Sequence, residues 1–413
     1  MTPNGWTEPK IHALPGQAGR PVTKLGPFGS ALKKSDYTDC GYKVYGQQQV
    51  LAGDEDHGDY WVGESKYREL IACSVEPGDI LLSTMGSFGS ILRLSEASRP
   101  GIINPRLLRL SISHDHAVPR YVEQFLQSDL AKRQFHAFAQ GGTMPAINGA
   151  SIGALKILLP PLGEQKKIAE ILSTWDQAIV TAEDLIENGA KQRRALMQQL
   201  LSGKRRMPGF GGDWQERSLD EVFQFKKGQG LSKADIDPCG RNPCILYGEL
   251  YTCYPEIVEY AESRTNSESG VVSRFGDILI PASTTTTGID LANATALMQA
   301  GVQLSGDINI LRPKRVTECS PFYAYLLTHH EKRKIAARAQ GITIIHLYGK
   351  HLKPLKVKVP SVEEQNAIAN VLMATDRELG ALRAQLANLK RQKKALMQQL
   401  MTGRRRVKLD GDV

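Results

Sequence analysis

The chain has 413 residues, with 52 Lys and Arg against 43 Asp and Glu for a formal charge of +9, and 41% of its residues are hydrophobic and 23% charged. This is longer than one ordinary domain of roughly 100–200 residues, and the composition excludes a disordered tail, a collagen-like repeat or a mucin-like polymer. No stretch approaches the roughly 18 apolar residues of a spanning helix, the start MTPNGWTEPK lacks a secretory core, and six scattered cysteines are too sparse for a disulfide scaffold. A cytoplasmic protein with reduced thiols and no membrane partner is expected.

In chain order, residues 1–159 form a first front portion. Short apolar runs at 79–83 and 156–159 between Gly-, Pro- and Ser-rich turns predict strands, and helical spacing over 121–139 carries the basic pair Lys132 and Arg133. Residues 160–206 then predict a long helix. After Pro160 and Pro161, apolar residues recur in steps of four and three at Ile168, Leu172, Trp175, Ile179, Ala182 and Ile186, pause at Gly189 and Arg193, and resume at Leu196 and Leu200. Such a seam predicts a coiled coil, with Gly203 as its stop.

The pattern then repeats. Residues 207–359 form a second front portion, with a predicted strand at 356–359 and a predicted helix over 321–339 bearing Lys332, Arg333 and Lys334. Residues 360–406 carry a second seam, Ile368, Leu372, Thr375, Leu379, Leu382, Leu386, Leu389, Lys393, Leu396 and Leu400, stopped by Gly403; residues 407–413 are a tail. Set without a gap, residues 139–206 and 339–406 agree at 25 of 68 positions. Upstream the offset drifts, with Gly78-Asp79-Ile80-Leu81 facing Gly276-Asp277-Ile278-Leu279 and Trp6 facing Trp214. This is a duplicated domain plus connector and not a solenoid. The expected fold is α+β: two mixed domains, each followed by a helix of about 40 residues and on the order of 60 Å, the helices pairing with each other as an antiparallel coiled coil with pseudo-two-fold symmetry.

Catalytic motifs are missing. No phosphate loop is present, the Gly-rich stretches at 86–89 and 228–230 fit no nucleotide fingerprint, and Asn104-Pro105-Arg106 lacks the second proline and aromatic of a base-holding methyltransferase motif. Cys239, Cys244 and Cys253 lack metal-ligand spacing, and His114, His116, His329 and His330 read as solvated or packed, so no metal and no catalytic residue is expected.

The order of domain, helix, domain, helix, with the segments Pro160 to Leu172 and Pro360 to Leu372 in the form Pro-x-x-x-Glu-Gln-x-x-Ile-Ala-x-x-Leu, resembles the specificity subunit of type I restriction-modification enzymes. The likeness spans nearly the whole chain and includes the phrases at 28–30 and 78–86. The resemblance implies a non-catalytic subunit in which each front domain is a target-recognition domain for one half of a split double-stranded DNA site. It implies docking to two modification subunits that use S-adenosylmethionine and, in the full enzyme, to two restriction subunits that use ATP and Mg. Helix faces around 192–199 and 392–399 are candidates for that docking. Half-sites about one turn apart, ~34–36 Å, suit a helical spacer.

Base edges call for donors and acceptors, and phosphates for Lys, Arg, Ser or Thr. The DNA candidates in the first portion are Ser30, Lys33, Lys34, Gln47, Gln48, Gln49, Ser87 and Thr143. In the second they are Lys226, Lys227, Gln229, Thr284, Thr285, Thr286, Thr343, His346 and Lys350. Charge alone does not mark the readers, because 161–206 carries +2 and 361–406 carries +5. Two rival readings stay open: a coiled-coil scaffold whose front domains bind protein or glycan, and a self-sufficient methyltransferase.

Overall fold

The computed structural model describes residues 2–84, 90–137 and 148–409. The chain forms two compact units, residues 1–183 with 384–413 and residues 184–383. The boundaries differ from the consecutive domains expected from sequence. Each long helix, Leu162–Leu200 and Val362–Met401, gives its first half to one unit and its second half to the other.

In the first unit an antiparallel sheet runs in the order Thr23–Leu25, Leu107–Leu110, Ile80–Ser83, Ile91–Arg93. A second, mixed sheet runs Tyr37–Thr38, Trp61–Val62, Tyr42–Tyr45, Gly101–Ile103. Strand side chains alternate faces. Ile80 and Leu82 therefore enter one core with Tyr121, Phe125 and Ile168, while Leu81 enters a second with Val44, Val62 and Ile102. The second unit repeats the device: Ile278 and Ile280 face one core and Leu279 the other. Its five-stranded sheet is Phe223–Lys227, Ile308–Pro313, Asp277–Pro281, Thr295–Leu297, Ile257–Val258, and a four-stranded sheet lies on Asn242–Ile245. The repeated Gly-Asp-Ile-Leu phrase is thus a buried strand covered on both faces, opened by a carboxylate that holds the turn. Asp79 accepts from the Glu76 amide and pairs with Arg20, and Asp277 accepts from the Arg274 amide and takes a two-point contact from Arg312 at 2.8 and 2.6 Å.

Three expected elements differ. The helix over 121–139 is two, Pro119–Gln127 and Asp129–Ala137, broken at Ser128, whose extended backbone is held by its hydroxyl on the Phe125 carbonyl; residues 138 and 139 lie outside the described part. The helix over 321–339 divides into Ser320–Tyr325, a π turn at Leu326–His330, and Lys332–Ala336. Residues 156–159 make isolated bridges to Lys10 and Thr7 and no strand, whereas Lys356–Val359 pairs along its length with Gln215–Ser218. Pro9 stands in the edge opposite 157 and has no N–H to complete a ladder.

The long helices obey one register in each unit. In the first, Arg406 donates to Glu164, Lys393 pairs with Asp176 at 2.5 Å, and Lys390 pairs with Glu183 at 2.6 Å. In the second, Arg206 donates to Glu364 at 2.8 and 2.6 Å and Arg193 pairs with Asp376. Rising numbers on one segment meet falling numbers on the other, so the paired segments are antiparallel. Gln165 and Gln365 fold back on the carbonyls of Pro160 and Pro360. The Pro-x-x-x-Glu-Gln phrase therefore fastens a helix start to the basic end of the opposing helix. At those ends Gly203 and Gly403 adopt left-handed φ of 70° and 66°, and a side chain there would crowd Trp214 or Pro3 and Trp6.

Seam positions are buried or half-buried, but the helix ends depart from a simple two-helix seam. Ile168, Ala169 and Leu172 join the domain core of the first unit together with Met397, Leu400 and Met401, and Ile368, Ala369 and Leu372 join that of the second with Met197, Leu200 and Leu201. Between these ends, Trp175, Ile179, Leu382, Leu386 and Leu389 are half-buried, as is Leu196 against the second core and Leu396 against the first; Leu379 is buried. The pauses have local causes. A Cβ on Gly189 would stand 2.8 Å from Leu379, and Arg193 occupies the seam to reach Asp376.

A joint ties each front domain to its helices. In the first unit Gln124 donates to Asp176 at 2.7 Å. In the second, Tyr325 donates to Asp376 at 2.6 Å, and Arg193 also reaches Glu256 at 3.3 Å, which His329 contacts in turn. Burial pushes the Glu256 carboxyl up, but the contacts from His329 and Arg193 outweigh it and hold the group down at about 2. Its contribution is therefore present above the ordinary carboxyl range near 4.5 and lost as pH falls through about 2. Urea unfolding against pH should place Glu256→Gln below the parent at neutral pH, with the two converging as pH falls from about 4.5 toward 2; a constant difference contradicts the assignment.

Candidate nucleic-acid interface

Each unit has an open cleft on its front domain, and several of the predicted residues line them. In the second unit a cleft of about 380 Å³ is lined by Lys226, Lys227, His346 and Lys350 together with Phe225, Asp307, Asn309, Tyr348 and Lys353. Lys226 and Lys227 end the strand Phe223–Lys227, whose pairing with Ile308–Pro313 carries them to the rim. Opposite, His346 is fixed by a short ladder to Ser283, and Gly349–Leu352 turns Lys350 toward the same space. Aromatic faces support the lysines: Lys350 lies 5.5 Å from the Tyr348 ring centre and Lys353 lies 6.0 Å from that of Phe225; His346 also stacks on Tyr348 at 5.6 Å. Asp307, 3.8 Å from Lys227, is the one carboxylate lining the cleft among the described residues. Four lysines around ring faces and amide groups form a surface that can grip phosphates and meet base edges.

Other candidates in this unit fall differently. Thr343, Gln229 and Thr285 are exposed. Thr284 is 2% exposed and shares a hydrogen bond with Thr286, which donates to Asp290 at 2.6 Å; hydrogen bonds from Thr286 and Thr287 hold the Asp290 carboxyl below its usual range. The threonine run is therefore largely a loop closed on Asp290. This corrects the expectation for Thr284, which is buried; Thr286 stays exposed with its hydroxyl on Asp290.

In the first unit a cleft of about 410 Å³ is lined by Lys34, Tyr37, Gly46, Gln48, Tyr60 and Asn104. Tyr37 and Tyr60 meet edge to face at 5.5 Å, and burial, followed by Tyr60 and Asp36, pushes the Tyr37 phenol up. Gln48 and Lys34 are thus brought together. Ser30 and Lys33 are exposed nearby in sequence, and Gln47 is half-buried at the helix start. Gln49 is a correction: it is fully buried, accepting from the Gly46 amide at 2.8 Å and donating to the His57 carbonyl at 2.6 Å, so it holds the turn that presents Gln48. Ser87 and Thr143 lie outside the described residues.

Asn309, Tyr348, Lys353, Tyr37, Tyr60 and Asn104 also line the clefts and were not singled out from sequence. A signal existed for Lys353, three residues after Lys350 on a helical turn; the tyrosines carry none until the sheets are assembled. Among the described residues no group of three or more His, Cys, Asp or Glu could hold a metal ion, and no helix is long and apolar enough to cross a membrane.

Comparison with known proteins places these features. The family model for the type I restriction modification DNA specificity domain matches twice, at residues 29–188 and 211–391. A putative type I restriction enzyme MjaX specificity subunit from Methanocaldococcus jannaschii is 28% identical, the match covering 94% of this chain and 88% of the relative. The MjaVIII specificity subunit from the same organism is 24% identical over 81% and 80%. Among solved structures, the type I S subunit from M. genitalium covers 97% of this chain and 99% of its own at a TM-score of 0.61 and 19% identity. A chain from a study of complex assembly and conformational transition of the type I R-M system covers 97% and 98% at 0.58 and 18%.

The cleft geometry separates two kinds of substitution. Lys226→Ala or Lys350→Ala should weaken DNA binding about equally across sequences and reduce the slope of log K against log salt by about 1. Gln49→Ala should instead lower stability by about 1–3 kcal/mol, the cost of orphaned buried groups, and leave the salt slope unchanged. Binding isotherms at several salt concentrations and urea midpoints check both.

Proposed function

Because the chain belongs to the type I restriction-modification DNA specificity family, with two copies of the family's domain, we propose that it reads a bipartite double-stranded DNA target, one half-site per front domain, and directs the chemistry of partner subunits to it. The observation that carries this reading is the duplication at the level of the sites. Each unit holds its own polar cleft, and each joins its front domain to an antiparallel helix pair through the same aspartate, Asp176 or Asp376.

One domain reads few base pairs, with roughly 1–3 kcal/mol lost per mismatch, so two linked readers gain discrimination through effective concentration. The helices supply the link and set the gap. Two modification subunits dock on them, bind S-adenosylmethionine and methylate adenine; restriction subunits, where present, add ATP and Mg. This chain positions and does not catalyse. The net charge fits that division, because the second helical region carries +5 while the front portions stay near neutral, leaving part of the phosphate grip to the partners.

Selection from random duplexes by the chain complexed with its modification subunits tests this reading. A motif of two short blocks separated by a fixed gap is expected, with no methyl transfer by the chain alone. No enrichment at moderate salt would overturn it, and a gap unchanged after inserting one heptad into both helices would remove the helices from its definition.

A further inference from the structure

We propose that Ile342 and Ile344 form an apolar prong that reads thymine through its 5-methyl group in the half-site bound by the second unit. The inference rests on the DNA-reading function and adds a specificity-determining contact to it. Ile342 is 98% exposed and Ile344 49% exposed, on the described segment between Gly341 and the ladder strand Ile345–His346. A fully exposed and a half-exposed isoleucine on one short loop oppose the usual burial of this residue type.

The loop is also anchored. Gln340 and His346 exchange two backbone hydrogen bonds at 2.8 and 2.7 Å beneath it, and Ile345 pairs with Thr284 beside it. Gly341 has a φ of 132°, and a Cβ there would stand 2.0 Å from the Ile344 carbonyl oxygen, so the turn is closed on itself. A tied loop presents its tip at little further entropic cost.

The surroundings identify what covers it. His346, two residues past Ile344, lines the cleft with Lys226, Lys227 and Lys350. A lysine-rimmed surface selects a polyanion, and an isoleucine can take neither a phosphate nor a base-edge hydrogen bond. In the major groove the thymine methyl is the apolar feature that distinguishes one base from the others. Thr343, between the two isoleucines, supplies a hydrogen-bonding group at the tip and His346 another at the loop's base, where it lines the cleft, a mixture that suits edge reading. An apolar wedge that unstacks a base step is the competing mode, and removal of one methyl separates the two.

The test uses the chain complexed with its modification subunits and the target found by selection. Each thymine of the half-site read by the second unit is replaced singly by deoxyuridine, which removes only the methyl. One such replacement should weaken binding about 4-fold, the worth of one buried methyl. The Ile342→Ala/Ile344→Ala variant should bind the parent target more weakly, lose sensitivity to that replacement and keep the salt slope and the other half-site unchanged. Ile342 is fully exposed and Ile344 half-exposed, so its unfolding midpoint should fall only slightly and the protein should remain folded at the assay temperature. A half-site without thymine, deoxyuridine replacements without effect, or an effect that persists in the double variant each overturns the prong while leaving bipartite reading intact. Absence of any selected motif would instead overturn the reading on which it rests.

Discussion

The arrangement depends on two aspartates. Asp176 and Asp376 sit at the same step of the duplicated helix, and each takes a cation from the opposing antiparallel segment, Lys393 or Arg193, and a hydrogen bond from its own front domain, Gln124 or Tyr325. Such half-buried charges cost desolvation and need several partners. The need is useful here: register along the helices and attachment of the front domain are specified by one group, and a slip of one turn would leave the aspartate and its cation unmatched. Leu172 and Leu372 are buried in the domain cores beside them, and the charges select which attachment forms.

With the framework fixed by repeated residues, recognition is free to vary. Phrases present in both copies turn out to be structural. Gly-Asp-Ile-Leu builds a doubly covered strand, Pro-x-x-x-Glu-Gln fastens a helix start, and the glycine stops fit against tryptophans. The clefts are unlike. Each has an asparagine, but one is otherwise lined by two tyrosines, a glutamine and one lysine, the other by four lysines, a histidine and an aspartate. If the proposed function holds, two clefts of different chemistry on one framework suit a target with two unlike halves.

Much of this was legible in the sequence. The duplication, the long helices and their stops follow from spacing that elementary helix geometry converts directly into structure. The two-helix seam was read too simply, because Ile168 and Ile368 serve a domain core and a helix pair at once, and periodicity does not say which neighbour a buried face meets. Pro9 broke an expected ladder through a missing donor on its partner segment, a long-range effect invisible in 156–159 itself. Charge picked out residues that line a cleft, as for Lys226 and Lys350. Polarity did not where the side chain serves the fold: Gln49 and Thr284 have the same chemistry as base-reading residues, and only their burial and partners tell them apart.

The central claim is that each unit reads its half-site independently on a shared framework. It is tested most directly by placing a second copy of residues 1–159 where residues 207–359 stand and determining the target of the resulting complex by selection. The account predicts two identical half-sites, both matching the block formerly read by the first unit. Retention of the original second block, or a new block unlike either, would contradict it.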